Sequence, residues 1–127
     1  MAKPTLRSVQ SASVTPAEFH ILLALSDADR HGYAVMQQVA ADSDGAVQLG
    51  PGTLYTAIKR LLDYGFIREV ESRVDPAVDD ARRRYYRMTS AGRAAAVSEA
   101  ERLASLVKLA RGRQLLSQRA KAGGGRS

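Results

Sequence analysis

Gly50-Pro51-Gly52-Thr53-Leu54-Tyr55-Thr56-Ala57-Ile58-Lys59-Arg60-Leu61-Leu62-Asp63-Tyr64-Gly65 is the stretch on which the fold turns. Proline in a first turn sacrifices no helical hydrogen bond, and glycine just past the last turn closes a helix, so the pattern predicts a helix that ends at Tyr64. Leu54, Ile58, Leu61 and Leu62 fall on one face of it, the spacing of a buried stripe. Opposite them lie Thr53, Thr56, Lys59 and Arg60, two hydroxyls and two cations on a face read as free of carboxylates. Hydroxyls and amines reach phosphates or base edges, whereas a carboxylate is repelled by a nucleic-acid backbone. The first-turn amides around Gly52 and Thr53 add the positive end of the helix dipole, and Tyr55 stands at the border with a hydroxyl to donate. The bland alternative is a polar face that is merely solvated.

Working outward towards the amino terminus, Thr15-Pro16-Ala17-Glu18 has the form of a capping box, and Phe19 to Leu25 is apolar on nearly every side except at His20. Asp27-Ala28-Asp29-Arg30 reads as a turn. A second helix is expected from about His31 to Ala41, with Gly32, Val35, Met36 and Val39 on one face, ended by Asp42-Ser43-Asp44-Gly45. Val47 and Leu49 leave room for a very short strand or an extended loop. Towards the carboxyl terminus, Phe66 to Glu71 and Arg83 to Met88 read as antiparallel strands joined by a long loop holding Asp75 and Pro76. Helix, helix, helix, hairpin and a further helix is the plan of a winged helix-turn-helix, a mainly α fold with a small β-hairpin.

The hairpin carries a second basic signal. Arg82, Arg83, Arg84 and Arg87 put four arginines in six residues, and alternation sends one of Tyr85 and Tyr86 inward. Arginines on a wing contact phosphate or enter the minor groove. A charged edge strand guarded against aggregation is the competing reading, and with Asp75, Asp79 and Asp80 in the tip its far end need not touch a polyanion. Thr89 is expected to cap the last helix, which continues to about Gln118, with Gly112 a point where it bends or stops. Along it Ala96, Ala100, Leu103, Val107 and Ala110 recur at helical spacing, widened by Val97, Leu106 and Leu109. So small a domain cannot cover that stripe, and a second copy of the chain is the simplest cover. The resulting partition is a flexible arm over 1–14, a winged helix over 15–89, a dimerisation helix over 90–118 and a disordered basic tail over 119–127.

Composition sets bounds. The 127 residues carry 19 Lys+Arg against 13 Asp+Glu, a formal charge of +6 that attracts polyanions. The chain has no cysteine, which removes disulfides, thiolate nucleophiles and Cys-ligated zinc. No apolar run is long enough to span a bilayer, and no signal peptide is read at the start, which points to the cytoplasm. The two histidines, His20 and His31, sit where packing and local hydrogen bonding explain them. With no phosphate loop, metal-ligand spacing or nucleophile elbow, neither an enzyme nor a metal or cofactor is expected. Double-stranded DNA and the chain itself are the expected partners; the sequence names no small-molecule effector. A winged helix used for protein contacts alone is the alternative, and the cations of the third helix argue against it.

Three motifs in order, His31-Gly32-Tyr33, Pro51-Gly52-Thr53-Leu54-Tyr55 and Arg83-Arg84-Tyr85-Tyr86-Arg87-Met88-Thr89 followed by Gly92, resemble those of the PadR family of transcriptional regulators. The match covers about residues 15 to 118 and is similar to the subtype with a short carboxy-terminal helical region. The resemblance implies a winged helix-turn-helix that dimerises through its last helix and usually represses transcription. Thr56 stands where the family often has proline, and Met88 where it has leucine. A drug pocket built of aromatics near the dimer centre is not expected from a chain with 6% aromatic residues.

Overall fold

The computed structural model describes residues 14–71 and 84–117. The chain divides into two compact units, Met1–Ala96 and Val97–Ser127. The first unit opens with α1, Pro16–Ala24. Its capping box is complete: the Glu18 amide donates to Thr15 Oγ1 at 3.1 Å, and the Thr15 amide donates to Glu18 Oε1 at 2.9 Å. Val14 and Phe19 hold the two positions of a hydrophobic staple; Val14 belongs to the core cluster and the half-buried Phe19 packs against it. Val14 is therefore not part of an arm, as expected of it, because its side chain is buried. The remainder of that arm lies outside the described residues.

Ile21, Leu22, Ala24 and Leu25 are buried along α1. Two arginines close its far end, Arg30 Nη1 donating to the Ala24 carbonyl at 2.6 Å and Arg93 Nη2 to that of Ser26 at 2.9 Å. The turn expected through Arg30 stops one residue early, since Arg30–His31 forms a short strand, β1. His31 then caps α2, Gly32–Asp42, its Nδ1 accepting from the Ala34 amide at 3.2 Å. The face predicted for α2 is the buried one, with Val35 and Val39 inaccessible. Asp44 takes a left-handed φ of 53° to end the helix, and the Gly45 amide reaches back to the Ala40 carbonyl at 2.7 Å. No strand follows; Val47 and Leu49 pack against the core from a loop, which the Ser43 hydroxyl holds by accepting from the Val47 amide at 2.9 Å.

The third helix, α3, spans Pro51–Tyr64 as its flanking proline and glycine predict. Gly65 adopts φ 79°, and the Phe66 amide donates to the Leu61 carbonyl at 2.9 Å, a closure only glycine makes without strain. Leu54, Ala57, Ile58 and Leu61 are buried. A fully buried leucine or isoleucine contributes about 2 kcal/mol, so this face is firmly seated. Strands β2, Ile67–Val70, and β3, Tyr85–Met88, are shorter than expected and pair antiparallel, with Glu69 opposite Tyr86. With β1 paired to the other edge of β3, the sheet has three strands in the order β1-β3-β2 rather than two. The loop of residues 72–83, with Arg82 and Arg83, lies outside the described residues.

The last helix, α4, spans Ser90–Gly112. Thr89 caps it by accepting from the Gly92 amide at 3.0 Å, and its hydroxyl also donates to the Gly65 carbonyl at 2.6 Å. Gly92 packs so tightly that a Cβ there would sit 2.0 Å from the Phe66 carbonyl oxygen. The helix ends well before Gln118. Gln114 turns left-handed at φ 66°, and the Leu115 amide donates to the Ala110 carbonyl at 2.8 Å. At ~1.5 Å per residue its 23 residues measure about 34 Å. The expected tail, 119–127, lies outside the described residues.

Candidate nucleic-acid interface

All six residues singled out on α3, Gly52, Thr53, Tyr55, Thr56, Lys59 and Arg60, are exposed on the face opposite the seated one. Because α3 starts at Pro51 with no side-chain cap, the amides of Gly52 and Thr53 have no intrahelical acceptor and stand open at the amino end. Tyr55 is 57% exposed and Tyr33 60%, so two phenols flank this end. Tyr55 lies across the start of α2, where a Cβ on Gly32 would come within 3.3 Å of its hydroxyl oxygen. The glycine of the first motif thus makes room for the tyrosine of the second.

Two carboxylates reach this face, contrary to the carboxylate-free reading. Asp63, one turn on, forms a long and exposed ion pair with the Lys59 ammonium at 3.9 Å, the kind that water screens. Glu18 of α1 accepts from Arg60 Nε at 3.1 Å and is itself almost wholly buried. Forty-two residues separate the partners, so no local pattern on α3 reveals the pair.

The wing strand is arranged differently. Tyr86 is the inward tyrosine and is buried. That burial, with the nearby Glu69 charge second, pushes its phenol above the ordinary value. Tyr85 sets its ring edge-on to His31, centroids 5.3 Å apart. Arg84 donates to Glu69 at 3.0 Å. Arg87 grips Asp29 with two bonds, of 3.0 and 2.8 Å. Those bonds hold the Asp29 carboxyl below, and the Arg87 guanidinium above, their ordinary values. Arg84 and Arg87, the described members of the arginine run, are therefore both paired.

Of the residues expected on the dimerisation stripe, Ala96 packs against the core of the first unit. In the second unit Leu103 and Ala110 are half-buried and Ala100 and Val107 exposed. Val97, Leu106 and Leu109 are exposed beside them. Glu99 is a feature the sequence reading missed: it is buried and held by Arg102 through bonds of 2.9 and 2.6 Å. That partner keeps its carboxyl below the ordinary value. Its i,i+3 spacing was the available signal. No group of His, Asp and Glu able to hold a metal occurs among the described residues. No helix among them is long and apolar enough to cross a membrane.

Comparison with known proteins follows the same lines. A transcriptional regulator of Mycobacterium tuberculosis is 36% identical over 103 residues, which cover 81% of this chain and 87% of that protein. An uncharacterised protein of a Streptomyces fradiae transposon is 36% identical over 90 residues, and one of Lysinibacillus sphaericus 32% over 74. The chain spans only 24% and 65% of the lengths of those two. Among solved structures, a transcriptional regulator from Clostridium thermocellum superposes with a TM-score of 0.65 at 25% identity, over 76% of this chain and 87% of that one. A PadR family transcription regulator from Clostridium difficile superposes at 0.64 and 22% identity, over 77% and 97%, a likeness of fold. The family profile of PadR-like transcriptional regulators matches residues 21–98, from within α1 to within α4 and across every residue of the α3 face. The chain belongs to the PadR-like family of transcriptional regulators, proteins of control rather than catalysis.

Proposed function

We propose that the protein is a sequence-specific regulator that binds double-stranded DNA as a homodimer and represses transcription from a palindromic operator. One observation carries the reading: the exposed face of α3 presents Gly52, Thr53, Tyr55, Thr56, Lys59 and Arg60 together, while the opposite face is locked into the core. A recognition helix enters the major groove by its amino-terminal residues, where open amides meet phosphate and side chains meet base edges. The exposed Val97, Leu106, Val107 and Leu109 of α4 support pairing with a second copy. A two-fold axis then spaces the two α3 helices about 34 Å apart, one turn of duplex.

The test is selection of a duplex from random sequence by the full-length protein, followed by titration at several salt concentrations and measurement of mass in solution. Binding of a sequence with two-fold symmetry by a dimer is expected. Replacing Lys59 and Arg60 by alanine weakens binding and lowers the magnitude of the slope of log K against log salt by about 2. A chain that stays monomeric and selects no sequence overturns the reading.

A further inference from the structure

Glu18 sits at the third position of α1, and its side chain is only 4% exposed. Each carboxylate oxygen has one partner: Oε1 accepts from the Thr15 amide at 2.9 Å and Oε2 from Arg60 Nε at 3.1 Å. A buried charge is tolerated only when paired, so the pairing fixes where the Arg60 guanidinium rests. Arg60 remains 55% exposed. Its Nη groups have no partner among the described residues. They stand at an open groove lined by Thr15, Ala17, Gly52, Thr53 and Thr56, where α1 meets the first turns of α3. The carboxylate is hidden, and the cation that it aims is on view.

We propose that Glu18 is a positioning residue for DNA binding: from the core of the domain it holds Arg60 so that its outward Nη groups grip a phosphate of the duplex backbone. The inference rests on the DNA-binding reading and assigns a division of labour within it. The first turn of α3 is left to read bases; Arg60, tethered to α1, is fixed against the flanking strand. Guanidinium prefers this geometry because its planar fork donates in two directions at once, one inward to Glu18 and one outward. Lysine cannot do both.

The sign of one substitution tests it. Glu18→Gln keeps an acceptor for the Thr15 amide but turns the acceptor for Arg60 into a donor, and raises the net charge by one. If charge alone matters, binding tightens. If Glu18 positions Arg60, binding weakens by about 10-fold, equally for selected and random duplexes, because a phosphate contact carries no sequence information. Arg60→Gln weakens binding by a similar factor, and the double variant is no weaker than Arg60→Gln alone. Arg60→Lys, at an exposed position and with unchanged charge, gives the same loss and serves should Glu18→Gln unfold. Thermal melting of each variant separates lost affinity from lost fold. Equal or tighter binding by Glu18→Gln, additive losses in the double variant, or unchanged affinity of Arg60→Lys overturns the inference while leaving the DNA-binding reading intact. A wild-type protein that binds no duplex ends both.

Discussion

The α3 face and the wing strand β3 are two basic stretches among the described residues, and Arg60 on the one and Arg87 on the other are held in different ways. On α3, Lys59 has only a distant carboxylate 3.9 Å away, and Arg60 is held by a buried one through a single nitrogen. On β3 and just before it, Arg87 spends two bonds on Asp29, and Arg84 is bonded to Glu69. The sequence of the wing is the more basic of the two. Of Arg84 and Arg87, the latter is the more fully engaged, with two bonds against one. Counting arginines in a row therefore overstates a nucleic-acid surface wherever the fold brings acids to meet them.

That contrast can be broken first at the exit of the wing. If β3 serves to seat α3 rather than to touch DNA, the turn joining them to α4 must be a point of high stability cost. Gly92→Ala places a Cβ against the backbone oxygen of Phe66, an atom that cannot swing aside. An expected loss of about 3 kcal/mol follows from forced backbone movement, read by chemical denaturation. Unchanged stability would mean that the approach of α4 to Phe66 is looser than it stands.

The second way concerns affinity. Lys59→Glu reverses a cation of α3 whose ion pair with Asp63 is long and exposed, and duplex binding is expected to fall about 100-fold, or roughly 2.7 kcal/mol. Arg87→Gln is expected to change affinity by less than about 3-fold, since two bonds to Asp29 already engage its guanidinium group. Equal losses from the two regions, measured by titration at one salt concentration, would erase the distinction.

The same two regions show what the amino-acid order reveals and what it hides. The limits of α3 and its buried stripe were legible because Pro51, Gly65 and four apolar positions act locally, each within a turn of its partner. The complete capping box at Thr15 and Glu18 was legible for the same reason. Strand β1 was not: two residues have no periodicity, and Arg30 becomes a strand only by meeting Tyr86 far along the chain. The partners of Arg60 and Arg87 lie 42 and 58 residues away, a distance over which composition gives no pairing. The sequence allows two ends for α4, about Gln118 or Gly112; the helix stops at Gly112, and the residue that then turns left-handed is Gln114. The exposure of the α3 face thus follows from local periodicity, and its electrostatics belong to the tertiary fold.

The smallest expected effect sharpens the contrast through pH. Asp29 is held below its ordinary 3.8 first by the hydrogen bonds from Arg87 and then, against a small cost of burial, by the Arg87 and Arg68 charges. A carboxyl lowered in the folded state contributes stability that is fully present above its unfolded value and is lost as pH falls through the lowered one. Arg87, raised by the same bonds, stays protonated throughout and adds no slope in this range. Asp29→Asn should therefore lower the melting temperature by no more than a few degrees at neutral pH, because a pair this exposed is screened by water. The difference from wild type should vanish on acidification below the ordinary aspartate range. DNA affinity at neutral pH should stay where it was, since the pair supports the sheet and leaves the α3 face untouched. A variant that melts like the wild type yet binds DNA more tightly would mean that Arg87, once released, joins the interface, and the wing would then be a reserve of cations rather than a scaffold.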